Sequence, residues 1–114
     1  MENILNSIKK LVGVDEADTD FDAEILMDIN MQFLALGQMG IGDEEFMVDE
    51  NTVWEDYATE PSVINNARQY IYIKVKLIFD PPQPAYLVDL YTQTAAECEW
   101  RLMTKKEKLL GGTV

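Results

Sequence analysis

Residues 61–84 read PSVINNARQYIYIKVKLIFDPPQP, and the conformation of this stretch decides the fold of the chain. Apolar residues recur along it at helical spacing. However, residues 70–79 also alternate between apolar and polar side chains and are rich in β-branched residues, a pattern typical of a strand. Because residues 63–71 have a helical pattern with no turn signal before Asp80, and a solitary strand would lack a partner, we predict one helix.

A proline-rich corner ends this helix and separates it from the last one. Asp80-Pro81-Pro82-Gln83-Pro84 forces an extended turn, because the residue before a proline avoids the helical region and proline removes a backbone donor. A last helix is predicted from about Ala85 to Lys108. One face of it carries the residues expected to face the core: Leu87, Leu90, Tyr91, Thr94, Cys98 and Leu102.

Two earlier segments, residues 3–12 and 21–39, also have helical periodicity. Thr19 or Asp20 is expected to cap the second of them. The apolar surface of the 21–39 helix is wider than a single core-facing stripe requires. Either a buried central helix or a helix packed between subunits explains this width.

The fold prediction is therefore a single all-α domain over residues 1–114, a small bundle of about four helices. A long acidic loop joins the second and third helices, and residues 43–53 within it admit a short hairpin. Trp54 is expected to fill the core and hold this loop down. The C-terminal tail is predicted to be mobile from about residue 105.

The chain is acidic, and its charge is uneven. The formal net charge is -12; residues 1–60 hold 16 acids and 2 bases, whereas residues 61–114 hold 5 acids and 7 bases. The first half should therefore repel a nucleic-acid backbone. The sequence has no stretch apolar enough to span a membrane and no secretory signal at its start, so we expect assembly in the cytoplasm.

The residue types needed for most catalytic and metal sites are scarce. The chain has no histidine and a single cysteine, Cys98, which we interpret as a buried apolar residue. Asp18, Asp20 and Asp22 have the spacing of the first ligands of a calcium loop, but the later glycine and glutamate are missing. We therefore predict no enzyme activity, no metal and no cofactor.

The second half carries residues typical of interfaces. Trp100 and Arg101 belong to residue types enriched at binding hot spots, although a core position was equally open for Trp100. The segment Lys105–Leu110 is basic and then apolar, a combination suited to docking on an acidic, grooved partner.

These features together resemble the head–tail connector proteins of tailed phages, also called adaptor or head-completion proteins. The resemblance covers about residues 21–106. It is carried by the order and spacing of short motifs: Gln38-x-Gly40-x-Gly42 after a long apolar helix, Trp54, Tyr70 and Tyr72, Phe79-Asp80-Pro81-Pro82, and Glu99-Trp100-Arg101-Leu102.

The resemblance implies a mainly α-helical structural protein of the virion neck. Copies would form a ring, expected to be dodecameric, that binds the portal, extends the DNA channel without gripping DNA, and receives the next neck or tail-completion protein. The residues assigned to portal docking are Trp100, Arg101, Lys105, Lys106, Lys108, Leu109 and Leu110. Those assigned to packing between subunits are Met27, Met31, Leu34, Phe79, Pro81 and Pro82.

The clustered acids of residues 15–60 support an alternative function. The chain could be an acidic phage or prophage protein that inhibits a host nucleic-acid-binding protein. That hypothesis predicts a monomer or dimer that binds a basic host protein, whereas the connector hypothesis predicts assembly on a portal.

Overall fold

A computed structural model of the chain describes residues 2–110, with side chains described up to Lys105. Within these residues the chain is helical and has no strand, which confirms the all-α prediction. The helices are α1 (Ile4–Leu11), α2 (Asp22–Gln38), the single turn α3 (Trp54–Tyr57), α4 (Pro61–Phe79) and α5 (Ala85–Leu110). No described helix combines the length and the apolar character needed to cross a membrane.

The ambiguous stretch is helical, as predicted: α4 runs unbroken from Pro61 to the residue before the corner. It is the central helix, because it packs against both α2 and α5, which make few contacts with each other. Ile71 and Val75 lie on one face of α4, and Ile73 lies about 200° from Ile71 on the other. All three are buried. The strand-like alternation therefore reflects a helix that is buried on two opposite faces.

The loop between α2 and α3 forms no hairpin in the described residues. Val53 instead makes an isolated antiparallel bridge with Asn3, at the start of α1. Trp54 is fully buried, as predicted, and its indole N–H donates a 2.9 Å hydrogen bond to the Ser7 hydroxyl. These contacts attach the end of the loop to α1.

The predicted cap of α2 is wrong. The N-cap position is occupied by Phe21, whose side chain has no hydrogen-bonding group. The start of α2 is instead fixed by a buried ion pair, because Lys9 of α1 lies 2.8 Å from Asp22 and also donates to the Glu16 carbonyl oxygen at 3.1 Å. A charge pair between two helices has taken the place of the local cap.

The predicted inner face of α5 is largely confirmed. Cys98 and Leu102 are buried, and Leu87, Tyr91 and Thr94 are partly buried. Leu90, predicted to face the core, is half exposed, whereas Ala95, about 140° around the axis from it, is buried. The prediction missed Ala95 because alanine gives a weak hydrophobic signal. The helix continues to Leu110, two residues beyond its predicted end. Residues 111–114 lie outside the described part, so tail mobility stays a prediction.

Candidate assembly surfaces

An apolar hollow lies on the outer face of α2. Met27, Met31 and Leu34 are between 47% and 61% exposed, and they lie about 170° around the helix axis from the buried residues. The loop adds Phe46 and Met47, which close one side of a cavity of about 350 Å³. We call this surface the methionine pocket. Asn30 and Glu44 complete its lining.

The loop wall of the methionine pocket is held against α2 by direct contacts. The Asn30 amide nitrogen donates to the Val48 carbonyl oxygen at 3.0 Å, and its oxygen accepts from the Val48 N–H at 2.7 Å. At Gly37 the loop approaches so closely that an added Cβ atom would lie 2.7 Å from the Cα atom of Glu44. The pocket is therefore preformed in the single subunit.

A second apolar surface lies on the outer face of α5. Tyr86, Leu90 and Trp100 are each more than half exposed, and their spacing places them within about 80° of one another around the helix. We call these residues the α5 stripe. Trp100 itself is 68% exposed, so it lies outside the core. An exposed tryptophan is typical of a binding surface.

A cleft of about 550 Å³ lies near the C-terminal end of α5. Leu102 and Lys105 line one side, and Lys105 forms an ion pair with Glu60. Tyr57 lines the other side; its hydroxyl is buried without a hydrogen-bond partner among the described residues, and burial raises its pKa to about 12. We call this the terminal cleft. Its remaining lining residues are Gly40, Ile41, Gly42, Ala58, Thr59 and Val63.

Of the residues predicted to dock on the portal, those whose side chains are described face in more than one direction. Trp100 and Lys105 lie about 140° apart around α5, so they face different directions. Arg101 lies between them, exposed and 3.6 Å from the carboxylate of Glu97. The side chains of Lys106, Lys108, Leu109 and Leu110 lie outside the described residues.

The residues predicted to pack between subunits also divide into two groups. Met27, Met31 and Leu34 lie together in the methionine pocket. Phe79 packs edge-on against Phe21, with 5.4 Å between ring centroids. This second group lies at the proline corner and also contains the exposed Pro81 and the half-buried Pro82. Periodicity identified the wide apolar surface of α2 but not the loop residues that complete its pocket.

The single cysteine is placed as predicted. Cys98 is fully buried on the inner face of α5, and burial raises the pKa of its thiol. A raised pKa lowers the fraction of reactive thiolate at neutral pH. The geometry therefore supports a packing role for Cys98.

Comparison with known proteins gives a match to a protein family. A family model described as phage connector protein matches residues 4–109. No curated protein and no solved structure matches the chain. The matched range includes α1 to α4, nearly all of α5, and both outer apolar surfaces.

Proposed function

The chain belongs to the phage connector protein family, and we propose that it is the virion protein that joins the portal to the tail. The family implies a structural connector role at the neck of the virion. The finer proposal is that copies form a ring against the portal, extend the DNA channel, and present a platform for the next neck or tail-completion protein.

The observation that carries this proposal is the pair of apolar surfaces on the two outer helices. The methionine pocket and the α5 stripe are both preformed and exposed in the single subunit. Large apolar side chains exposed in this way are typical of an interaction site. A cyclic ring requires two different complementary patches on each subunit, because each copy contacts one neighbour with each patch.

The acidic charge suits a protein through which DNA passes. Residues 1–60 carry 16 acids and 2 bases, and most of these acids are exposed. A surface of this sign repels phosphates and offers few of the lysine and arginine contacts on which DNA affinity depends. We therefore propose that DNA passes the ring without specific binding.

Portal docking is assigned to the C-terminal end of α5. This end carries Lys105, Lys106 and Lys108, followed by Leu109 and Leu110. The terminal cleft lies beside Lys105 and offers a mainly apolar recess to a segment of the partner. Basic side chains next to an apolar recess would steer an acidic partner segment and then bury it.

A binding experiment with the purified portal tests this assignment. The double variant Lys106→Glu/Lys108→Glu should reduce portal binding at least tenfold, with the loss largest at low salt. The matched control is Lys10→Glu/Lys74→Glu, which makes the same charge change on α1 and α4 and should bind like the original chain. An equal loss of portal binding in both variants, or no loss in either, would contradict docking through the end of α5.

A further inference from the structure

We propose that Trp100 of one copy inserts into the methionine pocket of the next copy. This inference rests on the proposed ring and names its subunit contact. It assigns Trp100 to the neighbouring subunit and leaves portal docking to the basic end of the same helix. The partner is a second copy of this chain, because the two surfaces complement each other and each subunit carries both.

The first argument is the direction in which the two surfaces face. α2 and α5 both pack on α4 and make few contacts with each other. Met31 lies on the side of α2 opposite its buried residues, and Trp100 lies on the side of α5 opposite Cys98. The pocket and the tryptophan therefore lie on different outer faces of one subunit. Such a pair is satisfied between copies. When each subunit offers its pocket to one neighbour and its tryptophan to another, the contacts run head to tail, which is the geometry of a ring.

The second argument is size and chemistry. The methionine pocket has a volume of about 350 Å³, enough for one indole ring system. Methionine side chains adapt to irregular shapes, and their sulfur atoms make favourable contacts with aromatic rings. A tryptophan seated in such a pocket buries about 150–250 Å². Tyr86 and Leu90 continue the α5 stripe and would extend the contact along α2.

The third argument is charge. The loop that walls the pocket, residues 43–50, contains five acids and no base, a balance of -5. Residues 101–105, which follow the tryptophan, contain two bases and no acid, a balance of +2. Seating Trp100 in the pocket brings Glu44 of one copy near this basic segment of the next. Opposite charge around an apolar anchor favours the correct partner and orientation.

Cross-linking tests the contact while leaving the tryptophan and the methionines intact. Glu44→Cys is placed at the rim of the pocket, and Thr104→Cys one turn beyond Trp100 on the same face of α5. With a short bismaleimide, the double variant bound to its portal should form a ladder of covalent multimers. Each single variant should give no dimers, because a head-to-tail contact does not place identical residues together. The control pair Lys10→Cys/Thr104→Cys should give no ladder.

A second variant measures what the tryptophan contributes. Trp100→Ala should weaken ring formation on the portal by about 30-fold, as expected for an interface hot spot. Gln69→Ala, an exposed change on α4 outside both apolar surfaces, should leave ring formation unchanged. A portal-bound ring that forms normally without Trp100, or that gives no ladder with the Glu44→Cys/Thr104→Cys pair, would overturn this inference and leave the connector function standing. Failure of the original chain to bind any portal would overturn both.

Discussion

Cys98 and Trp100 stand two positions apart on α5 and face opposite ways. The cysteine is fully buried against the rest of the bundle, whereas the tryptophan is 68% exposed. Two residues along a helix turn the side chain through about 200°, so one short segment serves the core and the outer surface. An outward tryptophan next to a well-packed residue is the arrangement expected if Trp100 contacts a partner, as we propose.

The buried hydrogen bond between Trp54 and Ser7 gives the first prediction. Ser7→Ala should lower the free energy of unfolding by about 1–3 kcal/mol, because it leaves the Trp54 indole N–H unpaired in the core. Urea unfolding followed by far-ultraviolet circular dichroism would measure the change. Ser62→Ala, at an exposed hydroxyl, is the control and should have little effect. Equal stability of both variants would contradict a structural role for this bond.

The ion pair between Lys9 and Asp22 gives the second prediction. Asp22→Ala should destabilise the fold by up to about 3 kcal/mol, because it leaves the buried ammonium group of Lys9 without its carboxylate. Asp22 is partly exposed, which places the cost at the lower end of the range for buried pairs. Asp20→Ala, at an exposed acid two residues earlier, should change stability far less. Thermal unfolding of the two variants would decide between these outcomes.

The close approach of the loop to α2 at Gly37 gives the third prediction. Gly37→Ala should cost about 1–3 kcal/mol of stability, because the new methyl group would lie 2.7 Å from the Cα atom of Glu44. Since the loop walls the methionine pocket, the variant should also assemble less well on the portal. Gln38→Ala, an exposed change at the end of α2, serves as the control. Unchanged stability and assembly would show that the loop is not held at this distance.

The buried hydroxyl of Tyr57 gives the fourth prediction. Burial raises its pKa to about 12 from 10, so above pH 10 the unfolded chain loses this proton before the folded one does. The contribution of the Tyr57 hydroxyl to the free energy of unfolding is therefore fully present below about pH 10, and it is lost as the pH rises towards about 12. Tyr57→Phe should show a shallower loss of stability over that range. Urea unfolding of the variant and of the original chain at several pH values would measure the difference.

The same variant has an expected effect at neutral pH. The Tyr57 hydroxyl is buried without a hydrogen-bond partner among the described residues, so its removal should be neutral or slightly stabilising. A large loss of stability at pH 7 would instead indicate that the hydroxyl is satisfied in solution.

The sequence predicted the helical architecture well because its strongest signals are local. The proline corner after Phe79 and the glycines around residue 40 mark helix ends by backbone chemistry alone. The helix over residues 70–79 was harder, because burial on two opposite faces produces the alternation of a strand. The helical pattern of residues 63–71, the absence of a turn signal before Asp80 and the lack of a partner strand correctly favoured a helix.

The exposed apolar surfaces, above all the methionine pocket, were harder to predict, because they depend on contacts between residues that are distant in the sequence. The wide apolar surface of α2 was visible in the sequence, but the wall that Phe46 and Met47 add to it depends on Asn30 holding the loop at Val48. The Lys9–Asp22 pair was missed for the same reason. Trp100 is exposed, as an interface residue must be, but its interface role stays a prediction. Grouping it with Lys105 ignored the helical rotation that separates the two residues.

The most direct test of the connector proposal is electron microscopy of the purified full chain mixed with its phage's portal. Light scattering of the protein alone is the control for self-assembly. We predict a ring that caps the portal, with the C-terminal end of α5 at the contact and the channel continued through its centre. A bare portal, with a small acidic species that binds a basic host protein instead, would contradict the connector function and favour the inhibitor hypothesis.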